Sequence, residues 1–177
     1  YKIFEVYAEK IMQHLGYPKA APVDVEMQIS NLCNLKCLTC NEIDSSSILA
    51  ENKILKINTY DQSSFNTSSV EIEKIKQFLT TRPKKLVLRG GEPMLIPNIK
   101  EVLLYGLENK FIDDTELMIF TNGTKINQQW LDILSQLKKC KLILSVDGVG
   151  DVNEYIRYGS KWSQTAQITD QVLSLSN

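Results

Sequence analysis

This sequence has few histidines, little net charge and no long apolar run. No apolar stretch in its 177 residues approaches the roughly 20 residues that a transmembrane helix requires, so we expect no membrane partner. The formal net charge is −1, with 20 basic and 21 acidic residues. That balance gives no electrostatic reason to expect nucleic acid as a partner. Hydrophobic residues make up 43%, which is normal for a globular domain.

Four apolar strands alternate with helical patterns along the chain. The strands are predicted at residues 23–30, 86–88, 117–120 and 142–146. The helices are predicted from Ser69 to before Pro83, from about 99 to 109, around 130–137 and after Trp162. This alternation predicts an α/β fold with right-handed βαβ units and a parallel sheet or barrel.

The segments outside this alternation are treated separately. Residues 1–22 are predicted to be an N-terminal helix and lead-in, because apolar residues recur at helical spacing before Gly16 and Pro18. Residues 41–69 are rich in serine and asparagine and are predicted to be a long polar loop with room for a short helix. The first residue is Tyr1, and the last helical pattern has no stop signal. We therefore expect a truncated chain.

Three of the four cysteines, Cys33, Cys37 and Cys40, lie within eight residues in a C-x3-C-x2-C arrangement. So tight a triplet favours a metal site in a reducing compartment, and hence the cytoplasm. Thiolates suit iron–sulfur clusters and zinc, but a structural zinc site needs four ligands. Cys140 is predicted at the opposite sheet edge and His14 precedes the first strand. A cluster with one open iron is therefore the favoured interpretation.

Polar motifs follow each of the other three strands. These motifs are Gly90-Gly91-Glu92-Pro93, Thr121-Asn122-Gly123 and Ser145-Val146-Asp147-Gly148. Parallel α/β folds place their active sites at the carboxyl ends of the strands. We therefore expect the cysteine triplet and the three motifs to converge on one side of the sheet.

The triplet followed by the Gly-Gly-Glu-Pro motif resembles the radical S-adenosylmethionine (radical SAM) superfamily. The two later motifs are similar to those of its branch with SPASM or twitch extensions, and the resemblance covers roughly residues 23–162. It implies a partial (β/α) barrel, of which about four of an expected six or so βα units are present. Residues 23–177 would then be the N-terminal portion of the radical SAM core.

The resemblance also implies an oxidoreductase with two cofactors, a [4Fe–4S] cluster and S-adenosyl-L-methionine. In that family, one electron cleaves the bound S-adenosyl-L-methionine to methionine and a 5′-deoxyadenosyl radical, which takes a hydrogen atom from the substrate. The implied partners are a flavodoxin- or ferredoxin-like electron donor and an unknown substrate, for which a peptide is one candidate. The protein supplies binding and orientation.

Site residues follow from the same resemblance. Cys33, Cys37 and Cys40 would ligate the cluster. Gly90 and Gly91 would let the backbone approach the methionine part closely. The resemblance places Glu92 near the ammonium group of the cofactor and has Pro93 fix the turn. It places Ser145 and Asp147 near the ribose hydroxyls and pairs Arg157 with the methionine carboxylate. Asn122 is a further candidate at the edge of the same site.

Two features depart from the family pattern. Thr39 stands where relatives often have an aromatic residue before the third cysteine, and the later strands of the barrel are missing. We therefore expect this piece alone to bind its cofactor poorly and to be inactive by itself. The alternative function is a non-catalytic module that keeps a cluster or zinc for structure. A zinc-dependent nucleic-acid binder is disfavoured by the balanced charge.

Overall fold

The computed structural model describes residues 22–57 and 65–175. Its four strands form one parallel sheet in the order β1-β2-β3-β4. The strands are β1 Asp24–Gln28, β2 Lys85–Arg89, β3 Glu116–Thr121 and β4 Cys140–Leu144. Because each strand pairs with the next one in the chain, their carboxyl ends meet at one edge. The predicted α/β fold with a four-stranded parallel sheet is confirmed.

Six α-helices connect or follow the strands in the described part of the chain. They are α1 Ser46–Leu55, α2 Ser69–Leu79, α3 Pro97–Glu108, α4 Gln128–Gln136, α5 Asp151–Ile156 and α6 Trp162–Ser174. α2 begins with a capping box, and its N-cap is Ser68 rather than the predicted Ser69. The Ser68 side chain accepts a hydrogen bond from the Glu71 N–H, and the Glu71 side chain accepts one from the Ser68 N–H. α3 begins at Pro97, whose fixed φ suits the first helical position.

One face of the sheet packs against helices and holds the core. Alternate residues of the central strands, such as Leu86, Leu88, Leu117 and Ile119, are buried there. The core also contains Trp130, whose Nε1 donates to the Met94 carbonyl at 2.9 Å. Because side chains alternate between the two faces of a strand, the residues between these buried positions of β2 and β3 lie on the opposite face of the sheet.

The polar segment predicted at 41–69 is more ordered than a loop. It contains the ten-residue helix α1, in line with the short helix that the prediction allowed within the loop. Residues 58–64 and the helix predicted within 1–22 fall outside the described residues, apart from position 22. Within the described ranges, none of the helices combines the length and the apolar character needed to cross a bilayer.

Candidate functional site

A cavity of about 280 Å³ lies at the carboxyl-terminal edge of the sheet. It forms where the segments that follow the four strands meet, as expected for a parallel sheet. The predicted site residues that line it are Cys33, Cys37, Cys40, Gly90, Gly91, Glu92, Asn122, Ser145 and Arg157. Pro93 and Asp147 do not line it. Pro93 is buried at the start of a 3-10 turn, and Asp147 pairs with the Arg157 side chain.

The cysteine loop, residues 33–40, is held by a segment far along the chain. The backbone N–H of Lys36 donates to the Tyr158 carbonyl at 3.0 Å, and that of Leu38 donates to the Ile156 carbonyl at 2.8 Å. This short ladder places Arg157 opposite Cys37. The segment that follows α5 therefore forms one wall of the site.

Gly90 and Gly91 are required by close contacts within the protein itself. Gly91 has φ +52°, and a Cβ there would lie 2.4 Å from the Leu32 carbonyl oxygen. Gly90 has φ +84°, and its Cβ would lie 2.1 Å from Cγ of Gln28. The Leu32 carbonyl also accepts a bond from the Glu92 N–H at 2.8 Å. The turn after β2 is therefore packed directly against the entry to the cysteine loop.

Glu92 joins the ends of two neighbouring strands. Its side chain is 1% exposed, and its Oε1 accepts bonds from the Met94 N–H at 3.0 Å and from the Thr121 hydroxyl. Oε2 accepts from the Asn122 N–H at 2.7 Å. Burial raises the pKa of Glu92, although these three hydrogen bonds oppose that shift. The carboxylate thus fixes the turn after β3 relative to the turn after β2.

A second polar network joins the turn after β3 to the cysteine loop. Asn122 Nδ2 donates to Asn34 Oδ1 at 3.3 Å, and Asn34 Nδ2 donates to the Thr124 hydroxyl at 2.9 Å. The Thr124 hydroxyl and N–H both donate to Asn122 Oδ1, at 2.7 and 2.9 Å. Asn34 stands between the first two cysteines, so this network fixes that part of the loop.

Arg157 brings a positive charge to the cavity. Its Nη1 lies 3.8 Å from Sγ of Cys37, and its Nε lies 2.9 Å from Oδ2 of Asp147. The Nε–H bond does not point at that oxygen, so the second contact is an ion pair rather than a hydrogen bond. The guanidinium is mostly buried, with 16% of the side chain exposed, which leaves it directed toward the cavity that it lines.

Burial affects all three thiols of the triplet. It raises the pKa of Cys33 to about 11, and it also raises the pKa values of Cys37 and Cys40. The nearby Arg157 guanidinium opposes the shift at Cys37 and at Cys40. The thiols are therefore protonated near neutral pH without a metal, and metal binding must displace those protons.

The three thiols are compatible with an iron–sulfur cluster. Among the residues that the structure describes, no three Cys, His, Asp or Glu side chains are arranged around one metal position. A structural zinc ion needs four ligands at about 2.0–2.3 Å, whereas a cluster spreads its thiolates over several irons. All three thiols are free and line the same cavity. Cys140 lines a different cavity, at the start of β4.

Sequence reasoning missed three residues of the site, since the cavity is also lined by Asp44, Arg89 and Phe120. Thr39 and Thr121, both considered from sequence without a binding role, line it as well. Arg89 and Phe120 continue the exposed face of β2 and β3, and that alternation could have indicated them. Asn34 and Thr124 carried no separate signal, because their network joins positions 90 residues apart.

Comparison with known proteins extends these observations. Residues 27–175 match the sequence profile of the radical SAM superfamily. The chain is 26% identical over 128 residues to an AdoMet-dependent heme synthase of Methanosarcina barkeri, covering 72% of this chain and 32% of that protein. It is 24% identical over 137 residues to the sporulation killing factor maturation protein SkfB of Bacillus subtilis, covering 77% and 29% respectively. The chain therefore spans about a third of the length of these curated relatives.

Solved structures with the same fold include two proteins crystallised with S-adenosylmethionine. Streptococcus suis SuiB bound to S-adenosylmethionine has a TM-score of 0.64 at 19% identity, covering 97% of this chain and 36% of SuiB. The protein anSMEcpe with bound AdoMet has a TM-score of 0.64 at 20% identity, covering 88% and 40%. At these identities the likeness establishes the fold.

Proposed function

Because the chain belongs to the radical SAM superfamily, we propose that Cys33, Cys37 and Cys40 hold a [4Fe–4S] cluster and that the adjoining cavity binds S-adenosyl-L-methionine. Enzymes of this superfamily use both groups. Together the two groups supply a one-electron cleavage that yields a 5′-deoxyadenosyl radical, which removes a hydrogen atom from the substrate. The observation that carries the proposal is that three free thiols line one cavity together with three polar strand-end motifs.

Two polar side chains that line the cavity are suited to bind the cofactor. Arg157 and Ser145 line it, and a guanidinium can bind a carboxylate through two parallel hydrogen bonds. We assign Arg157 to the methionine carboxylate and Ser145 to the ribose of S-adenosyl-L-methionine. Asp147 keeps Arg157 in place through their ion pair. The backbone of Gly90 and Gly91 forms the opposite wall.

Glu92 holds the turn and keeps one acceptor position open. A carboxylate offers about four acceptor positions, and the protein's own donors occupy three of them. Because Glu92 also lines the cavity, the fourth position supports the role near the ammonium group that the family resemblance implies. Asn122 acts as a positioning residue in this proposal.

A peptide is the substrate class that we propose. The relatives provide the support, since SkfB is a maturation protein, SuiB has been crystallised with its precursor peptide SuiA and anSMEcpe with the Cp18Cys peptide. The electron would come from a flavodoxin- or ferredoxin-like donor. A reducing cytoplasm suits three thiolates that must stay free of disulfides.

Anaerobic reconstitution with iron and sulfide tests the proposal. After reduction in the presence of S-adenosyl-L-methionine, the brown protein with its complete barrel should release 5′-deoxyadenosine and methionine, whereas this piece alone is expected to bind the cofactor poorly and to release little of either product. The Cys37→Ser variant serves as the control and should release neither product. A colourless protein that binds one equivalent of zinc and cleaves nothing would instead support the non-catalytic module.

A further inference from the structure

Ser45, Ser46 and Ser47 lie at the start of α1 and contact the cysteine loop. The Ser46 hydroxyl accepts a bond from the Cys33 N–H at 3.1 Å and donates to the Cys33 carbonyl at 3.3 Å. The Ser47 hydroxyl donates to the same carbonyl at 2.7 Å. Both backbone polar groups of the first cysteine are therefore satisfied by serine side chains.

Ser45 extends this contact two residues further along the loop. Its hydroxyl donates to the Leu35 carbonyl at 2.7 Å and accepts from the Ile48 N–H at 3.4 Å. The same side chain thus caps α1 and holds the loop. Ser45 is 1% exposed, so a buried carbonyl would lack its partner without this hydroxyl.

The cysteine loop does little to hold its own shape. Of its eight residues, all of which the structure describes, only Cys40 and Cys37 join each other by a backbone hydrogen bond, at 3.1 Å. Within the loop, the Leu35 N–H also donates to Sγ of Cys33, at 3.5 Å, and the remaining support comes from other segments. The Asn34 side chain is held by Asn122 and Thr124, whereas the backbone of Cys33 is held by the serines, because the ladder from the segment after α5 begins only at Lys36.

We propose that Ser45, Ser46 and Ser47 form a clamp that fixes Cys33 in its ligating position before any iron arrives. This inference rests on the proposed function, since it assigns the three serines as positioning residues for the cluster. α1 is attached to the body of the protein by Leu49, which is 1% exposed. It is attached to the loop by the pair of Lys36 with Glu51 at 2.5 Å. The helix therefore gives the clamp a fixed base.

The clamp can be tested in the iron-free and in the reconstituted protein. The test variants are Ser47→Ala and the double variant Ser46→Ala/Ser47→Ala. Ser47→Thr keeps a hydroxyl at the same place. Ser69→Ala is the matched control, because it also removes a serine hydroxyl from the first turn of a helix but lies in α2.

Two measurements decide the result. In the iron-free double variant, amide hydrogens of residues 33–38 should exchange about tenfold faster than in the wild type, because three hydrogen bonds are lost. After reconstitution, a chelator should remove iron from it about tenfold faster, in the range seen when residues supporting metal ligands are removed. Ser47→Thr and Ser69→Ala should behave like the wild type in both measurements.

The inference is overturned if amide exchange of residues 33–38 in the double variant is the same as in the wild type. It is also overturned if exchange is faster but the reconstituted variant loses iron no faster than the wild type. If the double variant fails to fold, which faster exchange in β2 and β3 would reveal, Ser47→Ala is judged by the same two criteria. A wild-type protein that takes up no iron would refute the proposed function. A wild type that takes up iron, with variants that retain it equally well, would refute the clamp alone.

Discussion

The two edges of the parallel sheet differ in how their polar side chains are held: the ion pairs of the amino-terminal edge are largely exposed, whereas Glu92, Thr121 and Asn122 at the carboxyl-terminal edge are buried. At the amino-terminal edge, Lys138 pairs with Asp113 at 2.8 Å and Lys141 with Glu116 at 2.6 Å. At the carboxyl-terminal edge, Glu92 has three protein donors. Exposed pairs can exchange their partners for water at little cost, whereas a buried polar group needs each partner. The carboxyl-terminal edge is thus the one with fixed geometry.

The cysteines give the largest expected difference between the two edges. Cys33→Ser, Cys37→Ser or Cys40→Ser should each weaken iron retention after reconstitution by at least about 100-fold, because a thiolate ligand is lost. Cys140→Ser, at the amino-terminal edge, should keep its iron. Iron analysis and visible absorbance of the four variants measure this. Equal iron loss in Cys140→Ser would show that a cysteine at the amino-terminal edge supports iron binding as much as the three at the carboxyl-terminal edge.

Gly91→Ala should have the next largest effect. Its Cβ would meet the Leu32 carbonyl, and φ is +52°, so we expect a loss of about 1–3 kcal/mol in the free energy of unfolding together with poor iron retention. Gly106→Ala is the control, because its Cβ would meet a side chain, that of Ile112 at 3.0 Å, rather than backbone, and because it lies in α3 outside the cavity lining. That variant should retain iron like the wild type, and denaturant unfolding with iron analysis compares the two. Full iron retention in Gly91→Ala would contradict the account.

Glu92→Gln should be less stable than the wild type by about 1–3 kcal/mol, since the amide nitrogen replaces one carboxylate oxygen and cannot accept the bonds from Met94 and Thr121 at Oε1 or the bond from Asn122 at Oε2. The difference should depend on pH. Burial raises the folded pKa of Glu92 above its unfolded value, so its contribution is fully present below the unfolded pKa, about 4.3. It is lost as pH rises through the folded pKa.

Denaturant unfolding of both proteins at a series of pH values measures that difference. The advantage of the wild type over Glu92→Gln should shrink as pH rises from about 4 toward 7. An advantage that grows with pH would mean that the charged carboxylate is the favoured form in the folded protein.

Lys138→Ala should have the smallest effect. The side chain is exposed in its pair with Asp113, and such pairs contribute little. We expect the same melting temperature within error and unchanged iron retention. A clear drop in either quantity would show that the amino-terminal edge also supports the site.

The fold could be predicted from the sequence more fully than the contacts that build the cavity. The strands were predictable because Leu86, Leu88, Leu117 and Ile119 belong to short apolar runs with buried alternate positions. Convergence of the motifs followed from parallel topology alone. The position of Ser68 as the cap of α2 was missed by one residue, because Ser69 beside it is also a cap-forming type.

The supports of the cysteine loop could not be predicted, since they depend on tertiary contacts. Serines 45–47 read as part of a polar loop, although they hold Cys33 and Leu35. Asn34 and Thr124 lie 90 positions apart, and no local pattern relates them. Short-range patterns report which face is buried, whereas the partners of buried polar groups depend on how distant segments meet.

Mössbauer spectroscopy of the protein reconstituted with ⁵⁷Fe, before and after addition of S-adenosyl-L-methionine, tests the central claim most directly. The account predicts a four-iron cluster in which one iron changes its signal when S-adenosyl-L-methionine is added, while the three irons held by Cys33, Cys37 and Cys40 do not. A spectrum without a four-iron cluster, or one that the addition leaves unchanged, would contradict it.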